Sequence, residues 1–227
     1  MPIGVLTNCA AVLFGGLLGT ILPQNLKDNL PTLFGYCSIA IGINSIIKAS
    51  GMTAVVLAIL VGFTIGHSLH LEHWTSKFFH KLVKALHLGD EHIDMEFYIT
   101  AVALFCCSGF GWYSTLTEGI TGDPSLLMSK AVLDFFTAMI FASTLGAAIC
   151  AIPIPQVIIL FIVFGAGKLL AGVLTPAMFA DLSACGGILT MAAGFRVSKI
   201  KSVPLVDLMP ALILVMPFSL LWTTLMG

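Results

Sequence analysis

The chain is short of charge. Only 9% of its 227 residues are Asp, Glu, Lys or Arg, against roughly 25% in a soluble globular domain, so an ordinary solvated surface is excluded. Ten basic residues face eleven acidic ones and the net charge is -1, which leaves no polybasic footprint and excludes a nucleic-acid partner. The cysteines contain no C-x-x-C pair. Cys9, Cys37, Cys106, Cys107, Cys150 and Cys185 all sit in apolar stretches and read as small packing residues rather than a metal or redox site. Neither G-x-S-x-G, H-E-x-x-H, a P-loop nor G-x-G-x-x-G occurs, so neither an enzyme nor a cofactor is expected. The first cation is Lys27, beyond the first apolar run, which argues for a retained first span and against a cleaved signal peptide.

What is abundant is apolar length. Hydrophobic residues make up 58% of the chain, and a spanning helix takes about 20 of them. Apolar segments run over 3–22, 30–48, 52–71, 97–120, 125–150, 153–174, 178–196 and 203–226, with prolines near the joints. They predict an all-α polytopic bundle of about eight spans, one membrane domain over 1–227. A seven-span bundle with one re-entrant segment is the alternative. Lys27, then Lys77, Lys81 and Lys84, then Arg196, Lys199 and Lys201 collect on every second connection. That places this side in the cytoplasm of a bacterial inner membrane and both termini outside. The 72–96 connection opens as an amphipathic helix with Trp74, Phe78, Leu82 and Ala85 on one face, fit to lie in the inner headgroup layer. Membrane lipid is therefore the first expected partner.

The first and last thirds, 3–71 and 153–226, look weakly alike. Phe14-Gly15 recurs as Phe164-Gly165, and Leu22-Pro23 resembles Leu174-Thr175-Pro176. Gly35 and Gly42 are spaced like Gly187 and Gly194. With the topology above, such a duplication would be inverted, a plan on which secondary transporters are built. Gly15-x-x-x-Gly19 and Gly62-x-x-x-Gly66 add faces for close helix packing, within the chain or in a homo-oligomer, a dimer being favoured.

The ionisable residues inside spans carry the functional signal, because a charge in lipid needs a partner or a wet cavity. Lys130 and Asp134 share one helix face, and Asp134 lies roughly 13 Å from the start of its segment at 1.5 Å per residue. Lys168 sits at a similar depth in the next segment, so an Asp134–Lys168 pair is expected, with Lys130 as the competing partner. Asn8, Asn44, Glu118, Asp123 and Asp181 fall toward the outer ends and could line a vestibule with a mild bias for cations or zwitterions. In the fourth segment, Ser108, Gly109 and Gly111 suggest local unwinding that frees carbonyls to bind an ion. Ser183-Ala184-Cys185-Gly186-Gly187 repeats that theme in the seventh. His67, His70 and His73, continued by His80 and His87, read as a solvated stripe rather than a metal site.

Phe105-Cys106, Glu118-Gly119, Gly122-Asp123-Pro124-Ser125-Leu126-Leu127, Lys130-Ala131, Leu133-Asp134 and Phe141-Ala142-Ser143-Thr144-Leu145-Gly146 form a specific central pattern. It resembles the bacterial YqgA/YdfK-like membrane family, domain of unknown function 554, over nearly the full chain. The resemblance implies a polytopic membrane fold and a presumed transport role. Where that family often has a Gly-Pro-Met-like break, this chain has Ser108-Gly109-Phe110, followed by the bulkier Trp112 and Tyr113.

The resulting expectation is a small secondary transporter of an ion or small polar solute. Asp134 would be the coupling carboxylate, balanced by Lys130 and Lys168, with Glu118, Asp123 and Asn44 toward the mouth. An oligomeric ion channel and a non-transporting scaffold or sensor are the alternatives.

Overall fold

The computed structural model describes residues 2–21, 29–86 and 94–226. The Leu22-Pro23 turn, Lys27 and His87 lie outside the described residues. Ten α-helices run through the rest: α1 (Ile3–Gly19), α2 (Leu30–Ile46), α3 (Met52–Ser68), α4 (Leu71–Ala85), α5 (Met95–Cys106), α6 (Gly109–Thr121), α7 (Ser125–Leu145), α8 (Pro153–Leu170), α9 (Pro176–Val197) and α10 (Met209–Met226). Two 3-10 segments, Gly146–Ala151 and Val206–Leu208, extend α7 and precede α10. Local chemistry sets the ends. Asp94, Ser108 and Thr175 cap α5, α6 and α9 by accepting N–H bonds from Phe97, Gly111 and Met178. Prolines occupy the first turns of α2, α8 and α9. Gly122, at φ 77°, stops α6 in the left-handed conformation that suits glycine.

The all-α membrane bundle holds, but the number of spans does not. Five segments are long and apolar enough to cross a membrane: Met95–Thr121, Ser125–Ala151, Pro153–Leu170, Pro176–Val197 and Val206–Leu225. A sixth exists if α3 and α4, which meet at a 58° bend, form one broken span. The expected eight are thus reduced to five or six among the described residues. The reason is helix length. Helices α1 and α2 stop at 17 residues, short of the roughly 20 that a hydrocarbon core takes. Helix α3 ends at a left-handed joint at His70, φ 53°.

The inverted repeats fall with them. The last third supplies three spans long enough to cross, whereas the first supplies only the bent pair. The matched glycine spacings have another origin: those glycines meet one another. Helices α2 and α9 pack antiparallel, with Gly35 against the backbone of Gly194 and Gly42 against that of Gly187. A Cβ on Gly42 would lie 2.6 Å from the Gly187 carbonyl oxygen. Equal spacing on two antiparallel partners is what a backbone-to-backbone seam requires. The two Gly-x-x-x-Gly faces serve the same purpose within the chain. Gly15 and Gly19 of α1 abut the Phe135 and Met139 carbonyls of α7, and Gly62 and Gly66 of α3 abut Ala211 and Asp207.

Helix α4 turns Phe79 and Val83 into the bundle and leaves Trp74 and Phe78 exposed, with Leu82 half-buried and Ala85 exposed. The expected Trp74-Phe78-Leu82-Ala85 stripe is therefore the outward side of a helix whose packed side lies one residue further on. Many apolar side chains on the spans face outward, Leu169, Ile162 and Phe136 among them, as lipid contact demands.

Candidate functional site

Three helices bring a chain of polar side chains into the core. From α1, Asn8 is fully buried. Its Nδ2 donates to Asp134 Oδ2 of α7 at 2.7 Å, and its Oδ1 accepts from Gln156 Nε2 of α8 at 2.8 Å. Lys130, one turn before Asp134, pairs with the same Oδ2. Lys130 and Asp134 are only 3% and 6% exposed, so this ion pair lies almost dry inside a span. One turn along α1 from Asn8, the N–H of Gly4 donates to Glu118 Oε1 of α6 at 2.8 Å. The other oxygen of this buried carboxylate, Oε2, has no hydrogen-bond partner. Two carboxylates thus contact the same face of α1 at positions four apart, about 6 Å along the helix axis.

The fourth segment is broken beside this cluster. Helix α5 ends at Cys106 and α6 begins at Gly109, with Cys107 and Ser108 non-helical between them. Trp112 Nε1 closes the freed Cys106 carbonyl at 2.9 Å, and the Ser108 hydroxyl accepts the Gly111 N–H at 3.1 Å. A Cβ on Gly111 would lie 2.7 Å from Lys130 Cε and 2.8 Å from Ser108 Oγ. The start of α6 therefore packs directly against the lysine stem. Gly109 meets Gly186 of α9 backbone to backbone. The expected unwinding at Ser183–Gly187 is absent: that run is continuous helix within α9, and its glycines serve close approach.

The Asp134–Lys168 pair does not form. Helix α8 ends at Leu170, four residues before the apolar run does, so Lys168 falls in the last turn. There its ammonium is exposed, 4.8 Å from the Phe164 ring centroid, near a helix C-terminus that favours a cation. Asn44 is exposed on α2. Asp123 is exposed in the α6–α7 turn, where the Ser125 hydroxyl and N–H bond its carboxylate and hold its pKa below the ordinary range. Asp181 is buried but lies in a separate cluster, accepting from the Ser50 and Gly51 N–H groups and the Ser219 hydroxyl. Asp134, Lys130, Glu118, Ser108 and Gly111 therefore group around α1 and α6, while Lys168, Asn44 and Asp123 stand apart.

A second polar centre was missed by sequence reasoning. Arg196, near the end of α9, is nearly buried. It contacts Glu72 Oε1 of α4 at 2.9 Å and donates to the Val203 carbonyl at 3.3 Å. Its Nε faces Glu96 Oε1 at 3.3 Å without hydrogen-bond alignment. Asp207 accepts the Glu72 N–H at 2.9 Å and meets His67 Nδ1 at 3.1 Å, and Glu72 in turn accepts the Val206 N–H. Glu72, Glu96, Arg196, Asp207, His67, His70 and His73 line a cavity of about 480 Å³. The signal was that Glu72, Glu96, Arg196 and Asp207 all fall where apolar segments end on the cation-rich side. Among the described residues, no three His, Cys, Asp or Glu side chains converge as a metal site.

The family model described as "Protein of unknown function (DUF554)" matches residues 3–220. The chain belongs to the DUF554 family. It is 41% identical to "Uncharacterized protein YqgA" of Escherichia coli (strain K12), over 98% of each chain. It is 27% identical to "Uncharacterized membrane protein YdfK" of Bacillus subtilis (strain 168), over 93% of each. No solved structure matches. This DUF554 chain is thus a multi-pass membrane protein of a bacterial family, with charged side chains buried in its bundle.

Proposed function

We propose that the chain is a secondary carrier of an ion or small polar solute, with Asp134 as the coupling carboxylate. The observation that supports this is the buried Lys130–Asp134 pair seated against a broken helix. Charges in the hydrocarbon layer are costly and mark solute paths, and discontinuous helices flank such sites. In the unloaded state Lys130 neutralises Asp134 and Asn8 orients it. A proton or a small cation reaching Asp134 takes over that neutralisation and frees the ammonium to swing along the Gly111 face. Glu118, one α1 turn away, is a second carboxylate on the same path. In this reading the end bearing Arg196, Lys199 and Lys201 faces the cytoplasm, an assignment supported by the cations collected there.

The test uses the Lys130→Gln/Asp134→Asn double variant, which keeps hydrogen-bonding shape and removes both charges together. In proteoliposomes with an entrapped pH dye, Na+, K+ or an amino-acid mixture is added outside. Wild-type protein is expected to give a solute-dependent signal and the double variant none. Equal signals from both, or none from wild type with any of these solutes, would count against the proposal. The second reading is a static polar tie in a non-transporting scaffold. It is favoured by the two charges lying on one helix. Exchanging them, Lys130→Asp with Asp134→Lys, preserves a tie but misplaces a coupling carboxylate by one turn.

A further inference from the structure

A second hollow, of about 460 Å³, opens beside α4, and almost all of its wall is carbon. Its mouth is formed by Trp74 and Phe78, which are 66% and 54% exposed. Its sides include Ile159 of α8 and Met209 of α10, and it reaches buried Val102 of α5 and buried Cys107 at the α5–α6 break. The volume is in the range of pockets that enclose a small organic molecule. No backbone N–H or C=O could be satisfied by such walls, so a peptide segment is a poor occupant.

We propose that this groove seats one acyl chain of an anionic phospholipid, with the headgroup phosphate at Lys77. Charge complementarity supports the assignment. Lys77 Nζ stands 5.7 Å from the Trp74 ring centroid, at the mouth, and Lys81 and Lys84 are exposed on the same helix. Basic residues at this level attract anionic headgroups, and an indole at the rim suits the boundary between headgroups and tails. The carbon-lined depth fits a tail rather than a headgroup. The groove adjoins the α5–α6 break, but Asn8, Glu118, Lys130, Asp134 and Gln156 do not line it, and the proposal does not depend on the carrier reading.

Native mass spectrometry of the intact, detergent-purified protein tests it, with dioleoylphosphatidylglycerol and dioleoylphosphatidylcholine as probes. Wild type is expected to retain one phosphatidylglycerol per chain under activation that strips phosphatidylcholine. Lys77→Gln should weaken retention of phosphatidylglycerol about fivefold, the effect of one basic residue at an anionic surface. Thr75→Trp fills the mouth from α4 and should abolish retention of both lipids. Ile159→Trp fills it from the opposite wall and serves if the first variant misfolds. Equal retention of the two lipids by wild type, or undiminished retention in Lys77→Gln and the filling variants, would overturn the proposal.

Discussion

Breaking the Lys130–Asp134 pair from one side at a time is the most informative perturbation of this bundle. Both side chains are nearly sealed. In Lys130→Gln the Asp134 carboxylate loses its counter-charge and keeps the Asn8 amide as a donor. In Asp134→Asn an ammonium is left in the core without a carboxylate partner. Removing one partner of a buried pair costs about 3–5 kcal/mol, because the survivor stays desolvated without compensation. Removing both charges together, as in Lys130→Gln/Asp134→Asn, takes away two desolvation penalties along with the attraction. Its expected cost is below about 1 kcal/mol. The four proteins therefore form a double-mutant cycle with a large coupling energy. Reversible unfolding in mixed micelles, titrated with sodium dodecyl sulfate and followed by helical circular dichroism, measures it. Single variants costing less than about 1 kcal/mol each would show a pair screened by water, as surface pairs are. The sealed, desolvated pair on which this reasoning rests would then be refuted.

Gly15→Leu forces a branched side chain into the Phe135 carbonyl and should cost at least about 2–3 kcal/mol in the same titration. Gly165→Ala, where a Cβ meets open space, should be neutral or slightly stabilising. Arg196→Ala should loosen α4 from the bundle. Its cost is expected at about 1–3 kcal/mol, because Glu96 is more than half exposed and Glu72 partly so. Faster hydrogen exchange confined to α4 and the 198–208 turn would check it. Ser125→Ala removes one of the bonds that lower the Asp123 pKa. Because the folded-state pKa is depressed, the stabilisation is present at neutral pH and is lost as pH falls through that pKa. In the variant the Asp123 titration, followed by carboxyl-carbon NMR, should move up toward the ordinary range. An unmoved titration would contradict the assignment.

Much of the centre was legible because helical periodicity is local. Lys130 and Asp134 are four apart, so their shared face needed no tertiary knowledge. The break at Cys107–Ser108 was readable from Ser108, Gly109 and Gly111, which weaken a helix there. Lys168 misled because its depth was measured from the end of the apolar run at 174, whereas the helix stops at Leu170. Apolar composition records where the chain can be in lipid, not where its hydrogen bonding ends. Ser183–Gly187 misled because glycine weakens a helix and also lets two helices touch, and only the opposing Gly109 and Gly42 decide which applies. The span count failed for a related reason: α1 and α2 are apolar enough but too short. The Arg196 centre was illegible because its partners on α4 and α5 are distant in the chain, and their meeting depends on the left-handed joint at His70.

The glycine seams have a mechanical consequence. Where main chain rests on main chain, neither member of a couple can roll or slide without collision. The couples α1 with α7, α2 with α9 and α3 with α10 therefore behave as three stiff staves. Any opening or closing of this protein is expected to displace whole staves rather than one helix of a couple past the other.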